Sequence, residues 1–413
     1  MTLPEARRMT RPGRAAVLRA RAALWIGVPA AAAVLAVGPE PQEARGDPPA
    51  ADPGANRSPA AQKVNPDGFT TARVCGSCHE DIYASWKSSM HAFSIADPVF
   101  DAAYLLALKA EGDVAKRLCL RCHAPITLVN EDYDLTEGVT LDGVSCDFCH
   151  TVTAVHLDDP VRPYSNDPGL VKRSVLKTAS SPAHEVSYSK LHESSEFCAG
   201  CHNYTSASGA PILSTYDEWR RGPYAADGIQ CQDCHMAPGP GRVVAEEVKK
   251  SQPHSQIHRH RLIHDTDQIK AALHLEIGRV KRTSSGAEVD VQVENVGSGH
   301  MIPTGIPSRE LQLQVTAHAG EASVSQERSY RKVVADEKGR PLTLDHEIIL
   351  YGARVLSDNR IGPGERRLER FVFDLPRANI VQIEAVITYV YEPMLLKKQP
   401  MRITIGQTEK VVH

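Results

Sequence analysis

Three hydrophobic patterns follow one another along the chain. From about Leu273 onward apolar and polar residues alternate, as in Val289-Asp-Val291-Gln-Val293, Leu311-Gln-Leu313-Gln-Val315, Phe371-Val-Phe373 and Val386-Ile-Thr-Tyr-Val-Tyr391. Successive side chains on a strand point to opposite faces, so this period predicts short, half-buried strands. Turns rich in Gly, Asn, Asp and Pro separate them, and residues 270–413 are expected to form an all-β domain of immunoglobulin-like sandwich type. Residues 70–265 lack that period. There Ile82, Trp86 and Met90 stand at helical spacing and predict an amphipathic helix, within a region expected to be mainly α-helical and irregular. The third pattern is N-terminal: an unbroken apolar run from Ala22 to Val37 behind Arg7, Arg8, Arg11, Arg14, Arg19 and Arg21.

That run is shorter than the roughly 20 residues a spanning helix needs. With its basic leader and the small-residue site Val34-Leu35-Ala36 it reads as a removed signal peptide over residues 1–37. A retained N-terminal membrane anchor is the alternative. Arg7-Arg8 is not followed by residues that support a twin-arginine signal. Residues 38–69, with Pro39, Pro41, Pro48, Pro49, Pro53 and Pro59, read as a disordered spacer. The expected location is periplasmic or extracellular.

Composition narrows the class further. The chain has 413 residues, 28 Gly, 28 Pro and 47 basic against 50 acidic side chains, a formal charge of −3. A collagen, a coiled coil, a polybasic nucleic-acid binder and a polytopic membrane protein are all excluded. A hydrophobic content of 42% with 5% aromatics is lean for two cores, so something other than side chains is expected to fill part of the interior.

The cysteines identify that filler. All ten fall in five C-x-x-C-H motifs: Cys75-Gly-Ser-Cys78-His79, Cys119-Leu-Arg-Cys122-His123, Cys146-Asp-Phe-Cys149-His150, Cys198-Ala-Gly-Cys201-His202 and Cys231-Gln-Asp-Cys234-His235. Two thiols three positions apart lie on one face of a helical turn and can both reach the vinyl groups of one porphyrin. The next residue then offers its imidazole to the iron as proximal ligand. Structural zinc would take C-x-x-C units in pairs, and five is odd. Neither disulfides nor a thiol redox site requires His after each second Cys. His is 18 of 413 residues, so its chance occurrence at all five positions has a probability on the order of one in ten million. The motifs predict five covalent haems c, and attachment outside the cytoplasm agrees with the leader.

Thirteen histidines lie outside the motifs, and five haems need at most five of them for bis-histidine ligation. On a continuous helix His91 would stand roughly 18 Å from His79. It is therefore expected to face a different haem, which would hold haems close together. His184 and His192 precede the fourth motif, one expected as a ligand and the other at the surface. The run His254-Ser-Gln-Ile-His258-Arg-His260-Arg-Leu-Ile-His264 is too dense for an ordinary loop and is expected to supply at least one ligand. In the β region, Asn295-Val-Gly-Ser-Gly-His300-Met-Ile-Pro303-Thr-Gly305 presents one imidazole on a loop fixed by glycines and a proline. His300 is expected to be a distal ligand that clasps the sandwich to the haem domain, with Met301 the alternative axial ligand.

Taken together, the stretches Cys75 to His91, Gly143-Val-Ser-Cys146-Asp-Phe-Cys149-His150, Ser195-Glu-Phe-Cys198-Ala-Gly-Cys201-His202 and Gly228-Ile-Gln-Cys231-Gln-Asp-Cys234-His235-Met236 resemble the bacterial multihaem cytochromes c. They are most similar to the cytochrome c-554-like group, related to hydroxylamine oxidoreductase. The resemblance covers about residues 70–265 and extends to the Gly299-His300…Pro-Thr-Gly loop. It implies electron transfer through stacked haems, with His91 matching the family's Trp…Ser…His distal ligand. His260-Arg-Leu-Ile matches less well, since Leu262 stands where an aromatic is usual, and His258, His260 and His264 stay unranked. No C-x-x-C-K occurs, and the eight haems of hydroxylamine oxidoreductase are missing; both lower the odds of an enzyme.

The expected function is that of an exported pentahaem electron carrier, serving other cytochromes or a membrane quinol-linked complex and binding no nucleic acid. One alternative is an oxidoreductase with one open iron acting on a small nitrogen or sulfur compound. Another is a self-associating subunit of an extracellular haem filament. Pyridine haemochrome analysis of the purified protein should return five haems c per chain; a lower count with all ten cysteines intact would sink the motif reading.

Overall fold

The computed structural model describes residues 63–245, 248, 256–262, 266–391 and 401–413. The expected signal peptide, most of the expected spacer, His254 and His264 lie outside the described residues. Residues 61–413 make up one compact unit. Packing is already under way before residue 70. Phe69 is buried in a small cluster with Ile126, Phe148, Val152 and Tyr164, and the Asn65 backbone N–H donates to Thr70 Oγ1 at 3.0 Å.

From Ala72 to Ala272 the chain runs through short helices with brief two-stranded pairings between them. Each cysteine motif sits on a helical turn. Cys75 lies in the helix Ala72–Gly76, the second motif ends the helix Asp113–His123, and the others occupy Cys146–Thr151, Glu196–His202 and Cys231–His235. Even in the first motif, where the helix has ended, the His79 N–H bonds to the Cys75 carbonyl at 2.9 Å. Local caps fix two of these turns. Ser145 Oγ accepts from the Phe148 N–H, and Gln230 and Asp233 form a reciprocal capping box.

The amphipathic helix after the first motif is shorter than the spacing suggests, spanning Glu80–Lys87. Two serines end it. Ser88 Oγ turns back to the Ser85 carbonyl at 2.9 Å, and Ser89 Oγ accepts the Ala92 N–H at 3.3 Å. Such side-chain bonds compete with the helical ladder. His91 therefore lies in the following turns rather than on the helix.

Among the described residues the C-terminal region holds eight strands in two antiparallel sheets. In chain order they are β1 (Leu273–Arg282), β2 (Gly286–Asn295), β3 (Arg309–Ala319), β4 (Ala322–Ala335), β5 (Arg354–Asp358), β6 (Arg366–Asp374), β7 (Val381–Tyr391) and β8 (Met401–Val412). One sheet has the order β6-β2-β1 and the other β5-β4-β3-β7-β8. On β2 the inward positions Ala287, Val289, Val291 and Val293 are fully buried, alternating with partly exposed Glu288, Asp290, Gln292 and Glu294. These residues share one hydrophobic core with Leu311, Leu313 and Val315 of β3, Phe371 and Phe373 of β6 and Ile383 and Ile387 of β7. Gly286 opens β2 at a place where a Cβ would fall 1.9 Å from the Phe373 carbonyl, so the pairing of β2 with β6 requires glycine there. Phe371 is fully buried in this core, and Phe371→Ala should cost about 3–5 kcal/mol of stability, read by urea unfolding of the purified protein.

Candidate functional site

Long-range bonds pull the cysteine motifs together. Trp86 Nε1 donates to the Val144 carbonyl at 3.0 Å, and the Val144 N–H donates to the His91 carbonyl at 3.1 Å. Two acidic side chains that the sequence reading missed also tie the first motif to the third. Asp142 Oδ2 accepts the Ala72 N–H at 2.7 Å, and buried Asp147 accepts the Thr70 N–H at 2.6 Å while pairing with Lys172. Ser94 links the His91 segment to the second motif, its Oγ donating to the His123 carbonyl at 2.7 Å. Between the fourth and fifth motifs, Ser195 Oγ accepts the Cys231 N–H at 2.8 Å, and Gln232 Nε2 donates to the carbonyls of His192 and Ser194 at 3.1 and 2.9 Å. The thiols follow suit: Cys75 is within hydrogen-bond reach of Cys146, Cys122 of Cys201 and Cys198 of Cys231. None of the ten cysteines is in a disulfide.

This packing sets imidazoles opposite one another. His79 faces His184 with ring centroids 6.1 Å apart, His91 faces His202 at 6.2 Å, His150 faces His260 at 6.2 Å, and His235 faces His300 at 6.3 Å. Rings at this distance do not touch. A metal bound in line by two imidazole nitrogens, each bond about 2.0–2.1 Å, places the centroids about 6.3 Å apart. The separations therefore fit a six-coordinate iron between each pair.

The nitrogens are oriented to suit. Nδ1 of His79 donates to the Val243 carbonyl at 2.6 Å, of His123 to Ser94 at 2.8 Å, of His150 to Arg173 at 2.5 Å, of His184 to Glu185 at 3.0 Å, of His260 to His258 at 2.8 Å and of His300 to Met301 at 3.0 Å. A carbonyl can only accept, so Nδ1 carries the proton and Nε2 keeps the lone pair a metal needs. Burial, aided by neighbouring imidazoles, holds His91 down to about 3 and His202 and His260 to about 4. At neutral pH these rings are uncharged, which is the ligating form.

Two expected candidates are placed differently. His192 is also near His150, at 5.8 Å, but its Nε2 donates to the Cys149 carbonyl at 3.0 Å. It thus packs beside His150 and against the backbone of that motif. His258 donates Nδ1 to the Met236 carbonyl at 3.0 Å, and among the described residues no ring contact joins it to a motif histidine. His123 differs from the other motif histidines: Phe100 lies face to face on it at 3.8 Å, and no described imidazole pairs with it.

The His300 loop is held by a buried charge cluster whose members carry no sequence signature. Asn295 Nδ2 donates to the His300 carbonyl at 3.0 Å. Glu218 Oε2 accepts from Thr304 Oγ1 at 2.7 Å and from the Met301 N–H at 3.3 Å, and Arg360 spans Glu218, Asp358 and the Pro303 carbonyl. Lys332, lowered to about 8 by burial and the nearby Arg360 charge, donates to Ser214 Oγ at 2.8 Å and the Pro211 carbonyl at 2.7 Å.

Residues 74–151 match the family described as cytochrome c554 and c-prime. The fold resembles the penta-heme cytochrome c552 from Thermochromatium tepidum with a TM-score of 0.64 over 83% of this chain and 99% of that one, at 22% identity. No curated protein matches significantly. These likenesses support a multihaem cytochrome c. Among the described residues no helix is long and apolar enough to cross a membrane.

Glu218 and Arg360 side chains are 6% and 4% exposed. Glu218→Ala leaves Arg360 paired with Asp358 but removes the acceptor for Thr304 Oγ1 and the Met301 N–H, and should destabilise the fold by about 1–3 kcal/mol, measured by chemical unfolding against Glu218→Gln, which keeps the shape without the charge.

Proposed function

We propose that the chain is an exported pentahaem c-type cytochrome that passes electrons between redox partner proteins. The observation that carries this reading is the set of four imidazole pairs at 6.1–6.3 Å, each containing one C-x-x-C-H histidine. Cys75 and Cys78, Cys119 and Cys122, Cys146 and Cys149, Cys198 and Cys201, and Cys231 and Cys234 would each hold one haem. His79, His123, His150, His202 and His235 would be proximal ligands. His184, His91, His260 and His300 would close the sixth positions of the first, fourth, third and fifth haems. Bound haem supplies one-electron chemistry; the chain supplies neutral imidazoles, fixed tautomers and exclusion of water. Two imidazoles on one iron favour a low-spin centre that changes redox state with little rearrangement, as a carrier requires.

The thiol contacts support close haem spacing. They join the first motif to the third, the second to the fourth and the fourth to the fifth. The fourth and third also adjoin, Cys149 and Cys201 lying against the same cluster. Electrons entering at the first or fifth haem would then have a path through the third and fourth, with the second as a branch. We read the two C-terminal sheets as an immunoglobulin-like sandwich whose His300 loop completes the fifth haem.

One observation favours a second reading, an oxidoreductase acting on a small nitrogen or sulfur compound at the second haem. Among the described residues no imidazole faces His123 at the 6.1–6.3 Å seen for the other four motif histidines, so the branch haem is the candidate for an open iron.

Electron paramagnetic resonance of the oxidised protein tests both. His300→Ala and His184→Ala should each convert one haem to high spin, whereas His192→Ala should leave all ligation unchanged. Unchanged spectra for His300→Ala and His184→Ala would overturn the ligand assignment. A high-spin haem in the parent protein that binds nitrite or hydroxylamine would favour the enzyme; five low-spin haems would favour the carrier.

A further inference from the structure

Several buried cations among the described residues are fully matched: Arg360 by Asp358, Glu218 and the Pro303 carbonyl, Lys332 by Ser214 and two carbonyls, and Lys172 by Asp147 inside the third motif. Three arginines are not. Arg121 Nε, Arg173 Nη1 and Arg309 Nε are buried N–H donors with no hydrogen-bond partner.

Each of the three arginines touches the setting of a motif histidine. Arg121 lies inside the second motif and is only 8% exposed. Its guanidinium stands 4.7 Å over the Tyr204 ring and bonds to the Cys122 sulfur, close to Cys201 of the fourth motif. No carboxylate pairs with it among the described residues. The Arg173 carbonyl holds His150 Nδ1, while its guanidinium uses Nη2 on Asp167 at 2.8 Å and leaves Nη1 unmatched beside His192. Arg309 acts on His202, donates Nη1 to the Thr304 carbonyl at 3.2 Å, and lies 5.3 Å over the Tyr391 ring.

A desolvated guanidinium with an unmade N–H bond is costly, and the group that best relieves it is a carboxylate, which accepts two parallel bonds. The haem edge carries carboxylates on its propionate arms. We infer that Arg121, Arg173 and Arg309 are the receptors for haem propionates. This rests on the pentahaem reading above. A positive charge at the haem edge stabilises the reduced state, which carries one positive charge fewer on iron, and so raises the potential of the haem it serves.

The test is a spectroelectrochemical titration of the full-length holoprotein and its Arg121→Gln, Arg173→Gln and Arg121→Lys variants, with pyridine haemochrome and spin state measured on each. Each Gln variant should keep five low-field-unchanged haem ligand sets, lower the midpoint of one haem and shift a propionate carboxylate band in the redox-difference infrared spectrum; Arg121→Lys should recover part of the potential. Should Arg121→Gln not be recovered folded, Arg173→Gln reads the same proposal at a less buried position. Five haems with potentials and carboxylate bands matching the parent would overturn it. A midpoint that moves with added inorganic phosphate in the parent but not in Arg121→Gln would place a free anion at the guanidinium and also overturn it. Fewer than five haems in the parent would instead fail the pentahaem reading itself.

Discussion

Backbone carbonyls that accept Nδ1–H are the constraint on which the rest depends. Seven imidazoles among the described residues, at His79, His123, His150, His184, His258, His260 and His300, are anchored in this way. One bond does two things for each ring: it fixes the tautomer and it aims Nε2. For His79, His123 and His150 the acceptors, Val243, Ser94 and Arg173, come from segments 23 or more residues away, whereas His184, His260 and His300 use a carbonyl one or two residues along the chain. Placement of the first three rings therefore demands that the chain be threaded so that a bare carbonyl meets each one. Irregular backbone suits this, since regular elements would spend their carbonyls on their own ladders.

The two regions solve the problem of a core differently. The C-terminal sheets bury a continuous apolar interior that includes Val289, Leu313, Phe371 and Ile387. Around the motifs the apolar clusters are small, one of them just Tyr104, Leu120 and Ala124 with partly buried neighbours. Hydrophobic burial alone would leave that half marginal. On the proposed reading porphyrin supplies the missing apolar surface, and folding of this half is coupled to haem attachment.

Buried charge joins the halves. Glu218 lies on the helix Thr215–Arg220, whereas Arg360, Asp358 and Lys332 belong to the sheet region; Glu218 and Arg360 grip the loop that carries His300, and Lys332 ties the sheet to Pro211 and Ser214. A charge cluster specifies one docking geometry more narrowly than an apolar contact, because any slip leaves an ion unpaired in a dry site. On the proposed reading that suits a loop that holds the His300 ring 6.3 Å from His235.

What the sequence determined by itself is local. The five C-x-x-C-H turns and the alternating strands around Val289, Leu311, Phe371 and Val386 follow from spacing within a few residues, where helical and strand periods fix which side chains share a face. The tertiary structure decided everything that spans distance. His184 and His192 stand in similar local contexts, yet one faces His79 while the other bonds the Cys149 carbonyl; no pattern near them separates the two. The same holds for His258 and His260, two residues apart, of which His260 is set opposite His150. Asp142, Asp147 and Glu218 look like ordinary surface carboxylates in the sequence, and acquire their roles only when folding brings a backbone N–H or a buried cation to them. Spacing reports what one turn of chain can do alone, whereas the partner of an imidazole or a carboxylate is set by contacts between segments dozens of residues apart.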